Sequence, residues 1–378
     1  MAVKFLHTSD WQLGMTRAYL TPDAQARYTD DQISGIRRLA EAASEHACQF
    51  VVVAGDVFDS IQPDRRIVNR ALDALKSFQI PVYLLPGNHD ADSPAAFWST
   101  SDIVEKLPGS ITLIRSSEPI RVPHTSAEII GAPWPSRKPD EDLMAKAIIG
   151  SGTPEAGIYR IFVGHGIVDS LAPDPSDPAL MSLLEMQDAI RAGAAHYFAL
   201  GDRHSFTRLG ESDDIYYSGA PLATDFKEID PNKALVIELA NGTARVEPIE
   251  IGKWRFIAQN FELSDQVGVS LIQHFLDELP SKDRTAVKLG LVGTLNLSLY
   301  SVLASILDRA SDLFASVDRS DSRSELVVIA DGKDLEDLDL SGFALEAAKE
   351  LARVSGGSTE HAGIAKDALM LLNRLAKR

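Results

Sequence analysis

The sequence holds a single cysteine, Cys48, in 378 residues, which excludes an intramolecular disulfide framework. Cys48 follows a helix-like stretch and precedes a strand-like one, so it reads as a small buried apolar group rather than a reactive thiol. No apolar run approaches the roughly 20 residues needed to cross a bilayer. Residues 1–7 pass directly into a strand and lack the charged head, long apolar stretch and small-residue cleavage site of a secretory leader. A cytoplasmic protein with no membrane partner is expected. Internal repeats and low-complexity tracts are missing too, as is any excess of positive charge. The formal net charge of −17 argues against a general electrostatic grip on nucleic acid. A local grip is still open, since Arg65, Arg66, Arg137, Lys138 and Arg203 fall in or near loops around the motifs described next. Each reads as ordinary solvated charge, except Arg203, which sits between two candidate ligands.

What the sequence does have is five short polar motifs, each at the end of an apolar run: HTSDWQ (7–12), GDVFD (55–59), GNHD (87–90), GHG (164–166) and GDRH (201–204). The runs before them are mostly short, β-branched or aromatic and stopped by glycine, as buried strands are. Adjacent strand ends in a sheet bring distant parts of a chain to one point, which is what a metal site requires. Asp, Asn, His and Gln suit divalent cations that accept mixed oxygen and nitrogen ligands. Asp10 and Asp56 are placed as carboxylate ligands, with Asp56 the candidate to bridge two ions. Asn88 offers an amide oxygen, and His165 and His204 offer imidazole nitrogens. His89 follows a ligand directly and suits a general acid that protonates a leaving alkoxide. Two ions would activate a water for in-line attack on a phosphoryl group, with no nucleophilic side chain needed. His7 is expected to bond beneath the site rather than ligate. Asp59 and Asp90 read as turn or supporting residues, with Asp90 orienting His89. Any one motif alone is weak; five in fixed order, each after a strand, are specific.

At this length a large domain and a smaller one are expected. Helical spacing over 25–46 and 64–78, with Asp64 as an N-cap, alternates with strands and predicts an α/β layer. The chain then turns β-rich, with strands expected within 111–122 and at 128–132, 158–163, 197–200, 216–218, 234–239 and 244–251. A loop is expected at 171–178 and a helix at 181–191. Two sheets packed face to face with helices outside accommodate all of these. The division expected is 1–252 for the phosphoesterase domain, 253–335 for a small α+β domain and 336–378 for a helical segment. In the latter, helices over 343–354 and 364–375 flank a Ser/Gly break at 355–358. Ile364, Ala368, Leu371, Leu372 and Leu375 form an apolar stripe that packs on its own domain or fills a partner's groove.

The order of the five motifs resembles the calcineurin-like metallophosphoesterases, and FLHTSDWQLG with GDVFDS is similar to the SbcD-type double-strand-break-repair nucleases. The resemblance covers about residues 1–250. It implies a four-layer αββα sandwich with a smaller capping domain and C-terminal helices. It further implies a manganese-dependent phosphodiesterase acting on DNA, with Mg²⁺ or Fe²⁺ as other metals. As partners it implies an SMC-like ATPase of the SbcC type, bound through a C-terminal helical segment, and allows a homodimer. On the family's pattern one metal site would hold Asp10, Gln12, Asp56 and His204, and the other Asp56, Asn88, His165 and Asp202. Two positions depart from that pattern, since D-W-H is Asp10, Trp11, Gln12 here and G-H-x-H is Gly201, Asp202, Arg203, His204. Each site exchanges an imidazole for an oxygen donor, which favours Mn²⁺ or Mg²⁺ over Zn²⁺. Three functions are expected to compete: a DNA exonuclease or endonuclease subunit, a small-substrate phosphodiesterase or phosphatase, and a catalytically weak assembly subunit of an ATPase complex.

Overall fold

Alternation of side chains along short β-branched strands dictates the architecture. In a computed structural model, which describes residues 2–94, 96–100, 105–329, 342–355, 361, 362, 364, 365, 368, 369, 371 and 372, β1 (Val3–Thr8), β2 (Phe50–Ala54), β3 (Val82–Leu85) and β4 (Ile111–Leu113) pair in parallel. The hairpin of β11 (Lys233–Ala240) and β12 (Thr243–Glu250) completes this sheet in the order β12-β11-β1-β2-β3-β4. A second sheet is ordered β5-β6-β7-β8-β10-β9. Its strands are β5 (Ile120–Arg121), β6 (Ala127–Ala132), β7 (Tyr159–His165), β8 (Tyr197–Gly201), β9 (Thr207–Arg208) and β10 (Ile215–Tyr217).

Because successive strand residues point to opposite faces, each sheet feeds two cores. Phe5, Phe50, Val52 and Tyr83 meet Ile129, Ile161, Val163 and Tyr197 between the sheets. On the far side of the first sheet, Leu6, Val51 and Val53 pack under α1 (Pro22–Glu45) and α2 (Arg65–Leu75) through Ile33, Ile36, Leu39, Val68 and Leu75. On the far side of the second, Ile130, Phe162 and Phe198 pack under α3 (Leu143–Ser151) and α4 (Leu183–Arg191) through Met144 and Met186. The result is a helix–sheet–sheet–helix sandwich. Cys48 is buried, and burial pushes its thiol up to about 11.

The chain forms two compact units, one of Met1–Arg17 with Gln25–Trp254 and one of Ala18–Ala24 with Arg255–Arg378. In the second, β14 (Thr285–Asn296) pairs in parallel with β13 (Arg255–Leu263), β15 (Ser316–Arg319) and β16 (Glu325–Ile329). Helices α5 (Gln266–Glu278) and α6 (Leu297–Ser311) pack on this sheet through Val269, Ile272 and Leu303. Ala348 of α7 (Phe343–Ser355) is buried in the same core. The boundary expected at 335/336, most of the Ser/Gly break and Leu375 lie outside the described residues.

One helix is not among those expected, and two expectations differ locally. Helix α3 carries no amphipathic signal, since Ile149 points outward while Met144 and Ala147 point in. Asp142 caps it, accepting from the backbone N–H groups of Met144 and Ala145. Met181 does not start α4; it bridges to Val168, and Ser182 is the cap. In the last helical stretch the buried face is rotated from the expected stripe: Ala365 and Leu369 are buried, whereas Ile364 and Leu371 are 67% and 56% exposed. Leu372 does pack against the core.

His7 lies fully buried at the end of β1, its Nδ1 3.2 Å from the Tyr197 hydroxyl and its Nε2 3.2 Å from the Leu200 carbonyl. Burial pulls its pKa down to about 3. The unfolded chain therefore binds a proton, near pH 6.5, that the folded one does not. Stability is undiminished above pH 6.5 and falls by about 1.4 kcal/mol per pH unit below it. Urea unfolding of His7→Gln is predicted to depend less steeply on pH between 6.5 and 5 than the wild type. Equal slopes would refute this assignment.

Candidate metal centre

The five motifs occupy the C-terminal ends of β1, β2, β3, β7 and β8, so strands of both sheets deliver side chains to one edge of the sandwich. Turning those side chains inward strains the backbone. Asp10, Gln12, Asp56 and Asp202 all adopt left-handed conformations, with φ of 53°, 49°, 53° and 97°, each costing about 1–3 kcal/mol. Backbone bonds hold the turns in register, from Asp10 N to the Gly55 carbonyl and from Gln12 N to the Asp56 carbonyl, both 3.0 Å. Glycine is required where ligands press on the chain. A Cβ on Gly55 would lie 2.1 Å from His165 Nδ1, and one on Gly87 would lie 2.2 Å from Asp56 Oδ1.

Donor atoms of Asp10, Asp56 and His165 lie within 4.8 Å of one another, all buried. The other candidate ligands attach to this trio. The Gln12 amide Nε2 donates to Asp56 Oδ2 at 2.7 Å. Asn88 Oδ1 lies 3.1 Å and Asp202 Oδ1 3.7 Å from His165 Nε2, and His204 Nε2 lies 3.8 Å from Asp10 Oδ1. Both imidazoles are aimed by their outer nitrogens. His165 Nδ1–H donates to the Ala54 carbonyl at 2.9 Å. His204 Nδ1 meets Thr224 Oγ1 at 2.6 Å and Glu228 Oε1 at 3.1 Å. In each case Nε2 is turned toward the carboxylates, the tautomer a metal ligand needs.

Charge balance explains the protonation pattern. Burial pushes Asp10 up to about 6 against the pull of His204 and His165, and burial also raises Asp202. Asp56 is driven up by burial too, but the adjoining His165 outweighs it and holds the group below its ordinary value. Burial opposes a charge on His165, yet Asp56 keeps it well above the usual imidazole range. His204 reaches about 9 in spite of burial, through Glu228 and Asp10. Protons on imidazoles thus offset the buried carboxylates, a role that divalent cations fill better.

The donors present fit such cations. Gln12 Oε1 is buried with no partner among the described residues, and a half-turn of the amide would present oxygen where nitrogen now faces Asp56. Three carboxylates, two imidazoles and two amides make an oxygen-rich set suited to Mn²⁺ or Mg²⁺.

Around this centre, His89 donates its backbone N–H to Asp56 Oδ1 at 2.9 Å, while its Nδ1 lies 3.4 Å from Asp59 Oδ1. Asp59, and not Asp90, therefore orients His89. Asp90 is buried and accepts from the backbone of Gly87 (2.8 Å) and Phe58 (3.2 Å), clamping two ligand loops together. Burial and the nearby Asp56 raise it to about 7. Arg203 bonds Thr207 Oγ1 at 2.8 Å, and both ring nitrogens of His7 are taken by Tyr197 and the Leu200 carbonyl.

Four participants are not singled out by the sequence: Ser9, inside the first motif, and Thr224, Glu228 and Trp134, outside all five. Ser9 Oγ donates to Asp10 at 2.7 Å, Thr224 and Glu228 hold His204, and the Trp134 indole N–H donates to the His165 carbonyl at 2.6 Å. Only a hydroxyl or carboxylate in a loop after β10 could hint at Thr224 and Glu228, and such residues are common. Loss of a bond that orients a ligating imidazole typically weakens metal binding 10- to 100-fold. Glu228→Ala is predicted to weaken Mn²⁺ binding in calorimetric titration by about that factor, and Glu228→Gln to restore part of it. Unchanged affinity in a folded Glu228→Ala protein would remove this role.

Known proteins resemble the chain over most of the sandwich. The family model for calcineurin-like phosphoesterases matches residues 3–192. Over 279 residues the chain is 24% identical to the D subunit of the SbcCD nuclease of Escherichia coli (strain K12), covering 66% of this chain and 67% of that one. Over 94 residues it is 34% identical to the DNA double-strand break repair protein Mre11 of Archaeoglobus fulgidus, covering 24% of this chain and 20% of that one. A dimetal phosphatase from Danio rerio superposes with a TM-score of 0.38 at 13% identity, over 66% of this chain and 98% of that chain.

Proposed function

The chain belongs to the calcineurin-like phosphoesterases, and we propose that within this family it is a metal-dependent DNA nuclease. The observation that carries the proposal is the meeting of Asp10, Asp56 and His165 at the strand ends, with His89 beside them. Relatives named as the D subunit of the SbcCD nuclease and as Mre11 support DNA as the substrate.

Asp10, Gln12, Asp56 and His204 would hold one ion, and Asp56, Asn88, His165 and Asp202 a second, with Mn²⁺ preferred by the oxygen-rich donors. When bound, such ions lower the pKa of water and neutralise charge on the phosphoryl oxygens. The protein's own part is positional and acid–base. Ala54 and Glu228 fix the two ligating imidazoles. Asp59 holds Nδ1 of His89 and leaves Nε2 as the nitrogen that delivers a proton to the leaving alkoxide. The bond to Asp59 raises His89 to about 9, so the acid is charged at neutral pH.

Exposed Ile364 and Leu371 support docking of an SMC-like ATPase on the last helical stretch. Leu371→Glu, an exposed position, would remove that docking while the protein stays folded.

Linear DNA and a panel of nucleotide monoesters, each with and without Mn²⁺, test the activity. Manganese-dependent cleavage of DNA is expected. Cleavage of monoesters alone would make the protein a small-substrate phosphatase, and a folded, metal-loaded protein without hydrolysis would leave an assembly role. His89→Ala is predicted to lower kcat by about 10²- to 10⁴-fold. The acid is lost as pH rises through its pKa, which Asp59 raises, so activity should fall on the alkaline side, and Asp59→Asn should move that fall to lower pH. An alkaline limb unmoved by Asp59→Asn would separate Asp59 from His89.

A further inference from the structure

A cavity of about 550 Å³ opens directly beside the candidate metal centre, sharing Asn88 and Asp202 with it. That volume falls within the range that holds small ligands. Of its other walls only Trp134 has a part in the centre described so far, through its N–H. They are chiefly apolar: the Trp134 ring, Ile167, Pro178 and Leu180. Trp134 is fixed, since its N–H is committed to the His165 carbonyl at 2.6 Å. Ile167 is 41% exposed although it lies two residues beyond His165. Arg137 and Lys138 line the same cavity, are exposed, and have no ion-pair partner among the described residues. Asp140 and Asp177 add carboxylates to the rim.

This combination matches one chemical class. Inorganic phosphate or a sugar phosphate would use the cations and the metal side but leave the apolar walls wet. A purely apolar ligand would leave two cations and two carboxylates unused. A nucleotide uses all of them. Its base has flat apolar faces for Trp134, Ile167 and Leu180, exocyclic amino groups for carboxylate acceptors, and anionic phosphates for Arg137 and Lys138.

We propose that the cleft lined by Trp134, Ile167, Leu180, Arg137 and Lys138 is a nucleoside subsite that takes an unstacked base adjoining the phosphate held at the metal centre. The proposal rests on the phosphodiesterase reading for its orientation, with phosphate toward Asn88 and Asp202. It assigns the substrate as a strand whose terminal or unpaired nucleotide can leave the helical stack, because a base held in a duplex cannot enter a cleft. Frayed ends and single strands meet that requirement. A fully stacked, blunt duplex meets it only by opening.

The test is binding, so it reads whether or not the protein turns over. Calorimetric titration with Mn²⁺ present would compare deoxyadenosine 5′-monophosphate with 2-deoxyribose 5-phosphate, which lacks the base. Stacking on protein side chains predicts that the nucleotide binds about tenfold or more tightly. Ile167→Ser, at an exposed position, should abolish that preference and leave the affinity for the sugar phosphate unchanged. Leu180→Ser, a second wall, gives the same expectation should Ile167→Ser perturb folding. Equal affinities of the wild type for the two ligands overturn the subsite, as does a preference that survives both wall variants. The two readings fail separately. Loss of the subsite with manganese-dependent hydrolysis intact leaves the nuclease proposal standing. A nucleotide preference in a protein that hydrolyses no phosphodiester supports the subsite and removes the nuclease.

Discussion

Burying Asp10 and Asp56 beside the part-buried Asp202 is the constraint on which the rest of the structure depends. An isolated carboxylate taken out of water costs several kcal/mol even after the protein relaxes, and here two lie side by side, with Asp202 adjoining them and buried Asp90 near Asp56. The protein offsets this with imidazoles. Asp56 stays ionised chiefly because His165 adjoins it, with the charge and backbone N–H of His89 adding to the effect, and Glu228 with Asp10 keeps His204 charged to about 9. Protons are a poor long-term counterweight for a cluster whose geometry is already that of a cation site. Divalent ions would replace them and return both imidazoles to the neutral, ligating form.

The same constraint explains the backbone. Four of the proposed ligand positions stand in left-handed conformations, an arrangement that a sequence free to relax would abandon. The surrounding sandwich holds them there. Parallel pairing of β1 with β2, and of β7 with β8, fixes the strand ends, and the core between the sheets leaves them no room to slip by a residue. Asp90 then ties the GDVFD and GNHD loops together by accepting from one backbone N–H in each. Strain at the centre is thus borne by packing elsewhere.

Much of this is legible in the sequence because its signals are local. Asp64 precedes an apolar period of 3.6 and does cap α2, accepting from the Arg66 backbone. Buried strands such as FVVVA end in glycine followed by a carboxylate, so the candidate donors stand out before any fold is known. The features that stay hidden are non-local or contrary to pattern. Helix α3 buries Met144 and Ala147 but exposes Ile149, so its periodicity is blurred. Two-residue strands such as β5 and β9 are too short to show alternation. Glu228 and Trp134 lie 24 and 31 residues from the histidines they meet, in loops that only the tertiary fold carries to the site. Adjacency in sequence suggests that Asp90 orients His89. The turn instead points Asp90 back into the loops and brings Asp59 to the imidazole.

Function then turns on the two positions where this chain departs from the ligand pattern that its resemblance implies. Gln12 contributes a fully buried amide whose oxygen has no partner among the described residues, and Asp202 a carboxylate whose oxygen lies 3.7 Å from His165 Nε2. Both are oxygen donors placed where ions are proposed to sit, which makes the centre harder without dismantling it. Anomalous diffraction from crystals grown with Mn²⁺ tests this most directly. Two manganese ions per chain are predicted, bridged by Asp56, with the Gln12 amide oxygen and an Asp202 carboxylate oxygen among their ligands. One ion or none, or Gln12 and Asp202 turned away from two bound ions, would contradict it.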